Sequence, residues 1–224
     1  GEPGSCESWA RPSYGVEFLP IRFSNATVIP VIAPDTSRLV EDLIDQASES
    51  IDIEQAYITN QSDGSLNPFL ARAVEAARNG VRVRVLLDSY YYNTDGDEDN
   101  DELVAVLNAL ARREGIPLEA RCADLAGNNI EKIHNKGVIV DRRKVLVSSI
   151  NWNTNSPTFN REAGVIVDHP DVGEYYSRVF EDDWEAGGAG RRAGPDLQKV
   201  GIATVTVGLL VLVWAWRRRT VWRR

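Results

Sequence analysis

One stretch, NPFLARAVEAARNGVRVRVLLD at residues 67–88, does most to limit what this chain can fold into. Asn67 before Pro68 is an N-cap followed by proline at the first helical position, and Gly80 marks where that helix stops. VRVRVLLD then reads as a strand, so helix and strand are joined with almost no loop. The same alternation recurs on both sides. TVIPVIA (27–33) is strand-like. The segment after it offers Asp35, Thr36 and Ser37 as N-cap candidates, then Leu39, Leu43, Ile44 and Ala47 at helical spacing. IDIEQAYI (51–58) alternates as a strand, a polar loop spans 90–102, a helix follows over 101–114, and IPLEARC (116–122) is another strand. IHNKGVIVD (133–141), KVLVSSI (144–150) and EAGVIVD (162–168) then follow closely, with a hairpin turn at Asp141–Arg143. A last helix spans Pro170–Ala186, with Val172, Tyr175, Tyr176, Val179 and Phe180 on its apolar side. The expected fold is α/β: a mixed, mainly parallel sheet sandwiched by helices.

Charge divides the chain unevenly. Residues 187–224 hold eight of the 25 Lys/Arg and one of the 33 acidic residues, leaving 17 basic against 32 acidic side chains in 1–186. Such an acidic body disfavours broad, nonspecific nucleic-acid binding, which draws on clustered Lys/Arg. VGIATVTVGLLVLVWAW (200–216) carries no charge and has the length of a short transmembrane helix. Arginines 217–219 follow it, and Trp214, Trp216 and Trp222 stand where an interfacial aromatic belt would. The expected organisation is a lead-in segment (1–26), a catalytic domain (27–186), a flexible linker (187–199), a C-terminal transmembrane helix (200–216) and a basic tail (217–224). The positive-inside rule orients it as a single-pass protein of the cell membrane, with the domain outside and the C-terminus cytoplasmic. The chain contains no methionine and opens GEPGSCESW, which reads as a processed product or a piece of a longer chain. Cys6 and Cys122 could pair outside the cell or remain thiols. The acidic residues Asp95, Asp97, Asp99 and Asp101 alternate but lack the spacing of a calcium loop, and read as a solvated surface.

The chemistry concentrates late in the chain. On a strand, His134 and Lys136 would point to one face, and Ser149 and Asn151 would share a face at the end of the next strand. A hairpin would bring the four together, and Glu162 opens the strand after that. Asp141 lies an odd number of residues from His134 and so points away; its expected role is structural, at the turn. An imidazole can serve as nucleophile or as general acid and base. An ammonium and an amide can hold phosphoryl oxygens, and a carboxylate can orient the imidazole. Metal-ligand clusters are sparse. The set points to phosphoryl transfer through a histidine, with no cofactor and no metal.

His134-Asn135-Lys136, four residues, Asp141, then Ser149-Ile150-Asn151 and Glu162 resemble the signature of the phospholipase D superfamily: His-x-Lys-x4-Asp, Gly/Ser-Ser-x-Asn and a downstream Glu. The resemblance extends over residues 27–186. It implies a phospholipase D-like α/β/α domain. His134 would be the attacking nucleophile, forming a phosphohistidine, or the leaving-group acid. Lys136 and Asn151 would bind phosphate, Ser149 would support that pocket, Glu162 would hold the imidazole, and Asp141 would be a structural member of the motif. The family builds each site from two such motifs, and this sequence holds one. His169 has no lysine two residues on and reads as a helix-start surface residue. The second motif would come from a homodimer partner or from an upstream half. The substrate implied is a phospholipid, by hydrolysis or head-group transfer. The alternatives are a metal-independent nuclease acting on nucleic-acid phosphodiesters, and a non-catalytic member used for binding.

Overall fold

Seven strands form one sheet in a computed structural model that describes residues 18–94 and 99–186. They are β1 (Thr27–Ala33), β2 (Ser50–Gln55), β3 (Arg82–Leu87), β4 (Leu118–Cys122), β5 (Lys136–Val140), β6 (Lys144–Ser148) and β7 (Glu162–Asp168). The helices are α1 (Leu39–Asp45), α2 (Pro68–Arg78), α3 (Asn100–Glu114), a single turn α4 (Asn155–Thr158) and α5 (Pro170–Ala186). The expected linker, membrane helix and basic tail lie outside the described residues, as do Cys6 and Asp95–Glu98. Among the described residues no helix is long and apolar enough to cross a membrane.

The strand order is β1-β7-β6-β5-β2-β3-β4. The sheet is mixed, as expected, but it is mostly antiparallel, which corrects the expectation of a mainly parallel one. Only β2–β3 and β3–β4 run parallel; β2–β5, β5–β6, β6–β7 and β7–β1 are antiparallel. The reason is connection length. Parallel neighbours need a crossover, which α2 and α3 supply. The β5–β6 link is a tight turn, too short for a crossover, so β6 reverses on β5, and β7 and β1 then add antiparallel to that hairpin.

Both faces of the sheet are covered. Ile51, Ile53, Val83, Val85, Val138 and Leu146 pack with residues of α1, α2 and α3 on one face. Leu86, Ile139, Val145 and Val167 pack with Val172, Phe180 and Trp184 of α5 on the other. Asn67 caps α2 as expected, accepting the Phe69 N–H at 3.0 Å. Gly115 ends α3 with φ 65°, a left-handed geometry that suits glycine. Gly173 of α5 lies so close to the β5–β6 turn that a Cβ there would sit 2.0 Å from the Arg142 carbonyl oxygen. The glycine therefore sets how closely α5 approaches the hairpin.

Asp141 occupies the hairpin turn, with φ 52° at both Asp141 and Arg142. Its carboxylate accepts the backbone N–H groups of Ser48 (3.0 Å), Glu49 (2.8 Å) and Ser50 (2.9 Å), and the Ser48 hydroxyl (2.8 Å). It thereby ties the turn to the start of β2. Burial pushes this carboxyl up, but the hydrogen bonds from Ser50, Glu49 and Ser48 outweigh it and hold it below the usual range. Because the folded value is depressed, this stabilisation is present above about pH 4 and is lost as the pH falls through the folded value. Asp141→Ala should cost about 2–3 kcal/mol in urea unfolding at pH 7, with Asp141→Asn milder because asparagine tolerates the left-handed turn. Equal unfolding midpoints for Asp141→Ala and the parent would contradict the anchoring role.

Candidate active site

The site is built where the chain enters β5. That strand begins at Lys136, so His134 lies in an irregular run just before it, which corrects its expected place on the strand. The ladder with β2 ends at the Gln55–Lys136 pair. Upstream of it, the Ile133 N–H goes to the Asp88 carboxylate at 2.8 Å instead of to a neighbouring strand. Asp88 follows β3, is fully buried, and also accepts from the Asn93 amide at 2.8 Å. It fixes the path of the segment that carries His134. Nothing in the sequence reading singled out Asp88; a charged residue closing the apolar run VRVRVLL was the available signal.

His134 and Lys136 still converge. Lys136, 4% exposed, donates to the His134 carbonyl oxygen at 2.6 Å, and its Nζ lies 3.1 Å from His134 Nδ1. An ammonium can only donate, so Nδ1 accepts and a neutral ring carries its proton on Nε2. Burial, Lys136 and Lys132 hold the imidazole below its ordinary value, with Asp88 opposing. Burial and Lys132 lower the Lys136 ammonium, against the pull of Glu162 and Asp88. The imidazole faces solvent while the ammonium beneath it is buried.

Ser149 and Glu162 meet directly, hydroxyl to carboxylate, at 2.6 Å. Glu162 also accepts from Ser156 (2.9 Å) and the Asn160 amide (3.2 Å). Burial raises this carboxyl, but the hydrogen bonds from Ser149, Ser156 and Asn160 and the charge of Lys136 bring it below its ordinary value. Ser156 and Asn160 were not among the expected site residues; both sit in the run NWNTNSPTFN that starts at the asparagine of the Ser-Ile-Asn signature. Ser156 also accepts the Asn151 N–H at 3.0 Å, so one hydroxyl links Asn151 to Glu162. Asp141 is at the far end of β5, about 16 Å away at the usual strand rise, and takes no part. His169 stands at the start of α5, where its Nδ1 accepts the Asp171 N–H at 3.1 Å.

Gln55 is a further residue that the sequence reading passed over. It pairs in register with Lys136, and side chains directly opposite on antiparallel strands lie about 5 Å apart at Cβ. Its side chain is fully buried, and both amide atoms lack a hydrogen-bond partner, as does Asn151 Oδ1. The Ile58–Trp152 bridge brings the Asn151 segment alongside the continuation of β2. Orphaned buried amides are costly, and native proteins keep few of them. Here they accompany a buried ammonium and an accessible imidazole, a set of polar groups suited to an anion with several oxygens.

Comparisons with known proteins bear on the family and the fold. The family model described as "Cardiolipin synthase, PLD-like domain" matches residues 40–184. Mouse mitochondrial cardiolipin hydrolase is 29% identical over 120 residues, 53% of this chain and 48% of that protein. A phospholipase D of Rickettsia felis is 28% identical over 141 residues, 62% of this chain and 60% of that one. The chain thus spans about half the length of the curated relatives it matches. Among solved structures, a phospholipase D family member, Nuc, from Salmonella typhimurium aligns with a TM-score of 0.57 and 26% identity over 73% of this chain and 97% of that one.

Proposed function

This chain belongs to the cardiolipin synthase/phospholipase D-like domain family, and on that premise we propose that it is a phosphodiesterase that works through His134. The observation that carries the reading is the buried Lys136 ammonium set against the His134 ring. Its two hydrogen bonds go to a carbonyl and an imidazole, neither of which carries negative charge. A phosphoryl oxygen would supply that charge. Lys136 and Asn151 then bind phosphate, Ser149 supports Glu162, and His134 acts on the phosphorus or its leaving group.

The ring's present tautomer bears on which role it takes. With Nδ1 accepting from Lys136, Nε2 carries a proton that it can donate to a leaving oxygen. Attack on phosphorus, giving a phosphohistidine that water or an alcohol resolves, requires Nδ1 to turn from Lys136 toward a carboxylate. Glu162 is the carboxylate assigned to that work. A second His-x-Lys motif, from another copy of the chain or from an upstream half, supplies the opposite role. The exposed edge of His134 leaves room for it.

A phospholipid is the favoured substrate. Relatives named cardiolipin hydrolase and phospholipase D support it, as does the acidic body, which discourages a polyanionic chain. The apolar stretch 200–216 would tether the domain to a membrane on its outer side. The Nuc alignment keeps a nuclease as the second reading. Purified protein should be offered vesicles of labelled cardiolipin, phosphatidylglycerol and phosphatidylcholine, and separately single-stranded DNA, all with chelator present. Release of a lipid product supports the proposal. Cleavage of DNA alone would overturn the phospholipid reading, and no cleavage of either would overturn the enzymatic one.

A further inference from the structure

A second cluster lies on the opposite side of the sheet from Lys136. Side chains alternate along β2, so Gln55 faces Lys136 while Glu54 faces α5. Glu54 is 6% exposed. Asp183 of α5 and Asn135, the residue between His134 and Lys136, both lie close enough to act on its carboxyl. The middle residue of the motif, itself exposed, thus stands against a buried carboxyl of the α5 layer, while its two neighbours serve the site. Two carboxyls this close need a proton between them. Asn135 can give Glu54 an amide N–H, and protonated Glu54 can give its own proton to Asp183.

We propose that Glu54 is a positioning residue, holding the His134–Lys136 segment through Asn135 by a proton that it shares with Asp183. The mechanism as otherwise described uses neither carboxyl. Burial, then the Asp183 charge, pushes the Glu54 carboxyl up to about 8, so the shared proton stays in place at neutral pH. Loss of that proton puts two negative charges side by side under the motif, and Asp183 is driven from Glu54. The arginines that the strands and the hairpin turn bring to this face are already matched. Arg84 on β3 binds Asp52 of β2 and Glu181 of α5. Arg82 lies 3.8 Å from Asp52, and Arg142 of the hairpin turn 3.8 Å from Glu181. Arg121 of β4 pairs with Glu119 and with the Trp184 carbonyl. Leu86 and Gly137, the residues in register with Glu54 on β3 and β5, bring no charge.

The linkage has a definite sign. A carboxyl raised in the folded state adds stability that is full below its ordinary value of 4.5 and is lost as the pH rises through about 8. The melting temperature of the 224-residue chain should therefore decline between pH 6 and pH 8 and level off above, and Glu54→Gln should remove that decline. Glutamine keeps an acceptor for Asn135 and a donor for Asp183 but does not titrate, so it stands in for the protonated form. In kinetics, which rest on the phosphodiesterase reading, the parent should lose kcat with little change in KM as the pH passes about 8. Glu54→Gln should keep the neutral-pH rate and move that limb upward. Glu54→Ala should lower kcat about tenfold to a hundredfold at every pH, since small displacements of reacting groups are costly. The Asn135 side-chain amide resonance should titrate near pH 8 in the parent and stay fixed in Glu54→Gln. Superimposable melting profiles, or an Asn135 resonance that does not move, would overturn the proposal. If the parent turned over no phosphodiester, the enzymatic reading would fail, and the melting and resonance results would still decide the carboxyl pair.

Discussion

His134→Ala is expected to lower phosphodiester turnover by about a thousandfold or more, with the melting temperature of the parent retained. The physical basis is the separation of the ring from what holds the fold. His134 precedes β5, its ring faces solvent, and its recorded side-chain contact is with Lys136 Nζ. Removing the ring opens no cavity in either core. The path of the segment survives, because Asp88 holds Ile133 through its backbone N–H and Lys136 binds the residue-134 carbonyl oxygen. Freed from the ring, Lys136 keeps that carbonyl, so no buried charge is stranded. The measurement is a single-turnover assay beside a thermal melt. Turnover within a few fold of the parent would remove His134 from the chemistry. A matching loss of folded protein would show that the ring is structural.

Arg84→Ala should be the most destabilising single change on the α5 face, about 3–5 kcal/mol, because it leaves a buried carboxylate unmatched. The guanidinium makes a two-point contact with Asp52 at 2.7 and 2.9 Å and another with Glu181 at 2.9 and 2.8 Å. It also lies 4.8 Å from the Phe180 ring centroid and 5.3 Å from that of Trp184. One side chain joins β3, β2 and α5. Asp52 is 1% exposed, and Arg82 at 3.8 Å is too distant to replace a bidentate partner. A paired Arg84→Met and Asp52→Leu variant should recover much of the loss, since it removes the stranded charge and fills the space with apolar atoms. Urea unfolding of both variants measures the difference. A double variant no more stable than Arg84→Ala would mean that the aromatic stacking and the Glu181 contact, not the buried carboxylate, carry the effect.

Local patterns predicted much of the domain well. β1 and β7 span the predicted residues, Asn67 caps α2, α5 runs from Pro170 to Ala186, and Asp141 sits at the hairpin turn. Each depends on periodicity or turn chemistry within a few residues. The predictions that failed required knowledge of partners. Strand direction depends on which strands meet, and β5 enters the sheet beside β2, not after β4, which made the sheet mostly antiparallel. Apolar periodicity continues through Ile133, but the strand cannot, because its ladder ends where β2 ends and Asp88 takes the Ile133 N–H.

By itself the sequence determined that strands and helices alternate, that a His-x-Lys and a Ser-x-Asn would fall near one another, and which superfamily signature they resemble. Side-chain type and short-range period are written in the order of residues. Only the tertiary structure decided that Gln55 stands opposite Lys136, that Asp88 aims the His134 segment, and that Glu54 and Asp183 meet beneath Asn135. Those residues lie between 45 and 129 positions apart from their partners within the pairs Asp88–Ile133 and Glu54–Asp183. Their proximity is a product of strand order and of helix packing across the sheet, which no local pattern encodes.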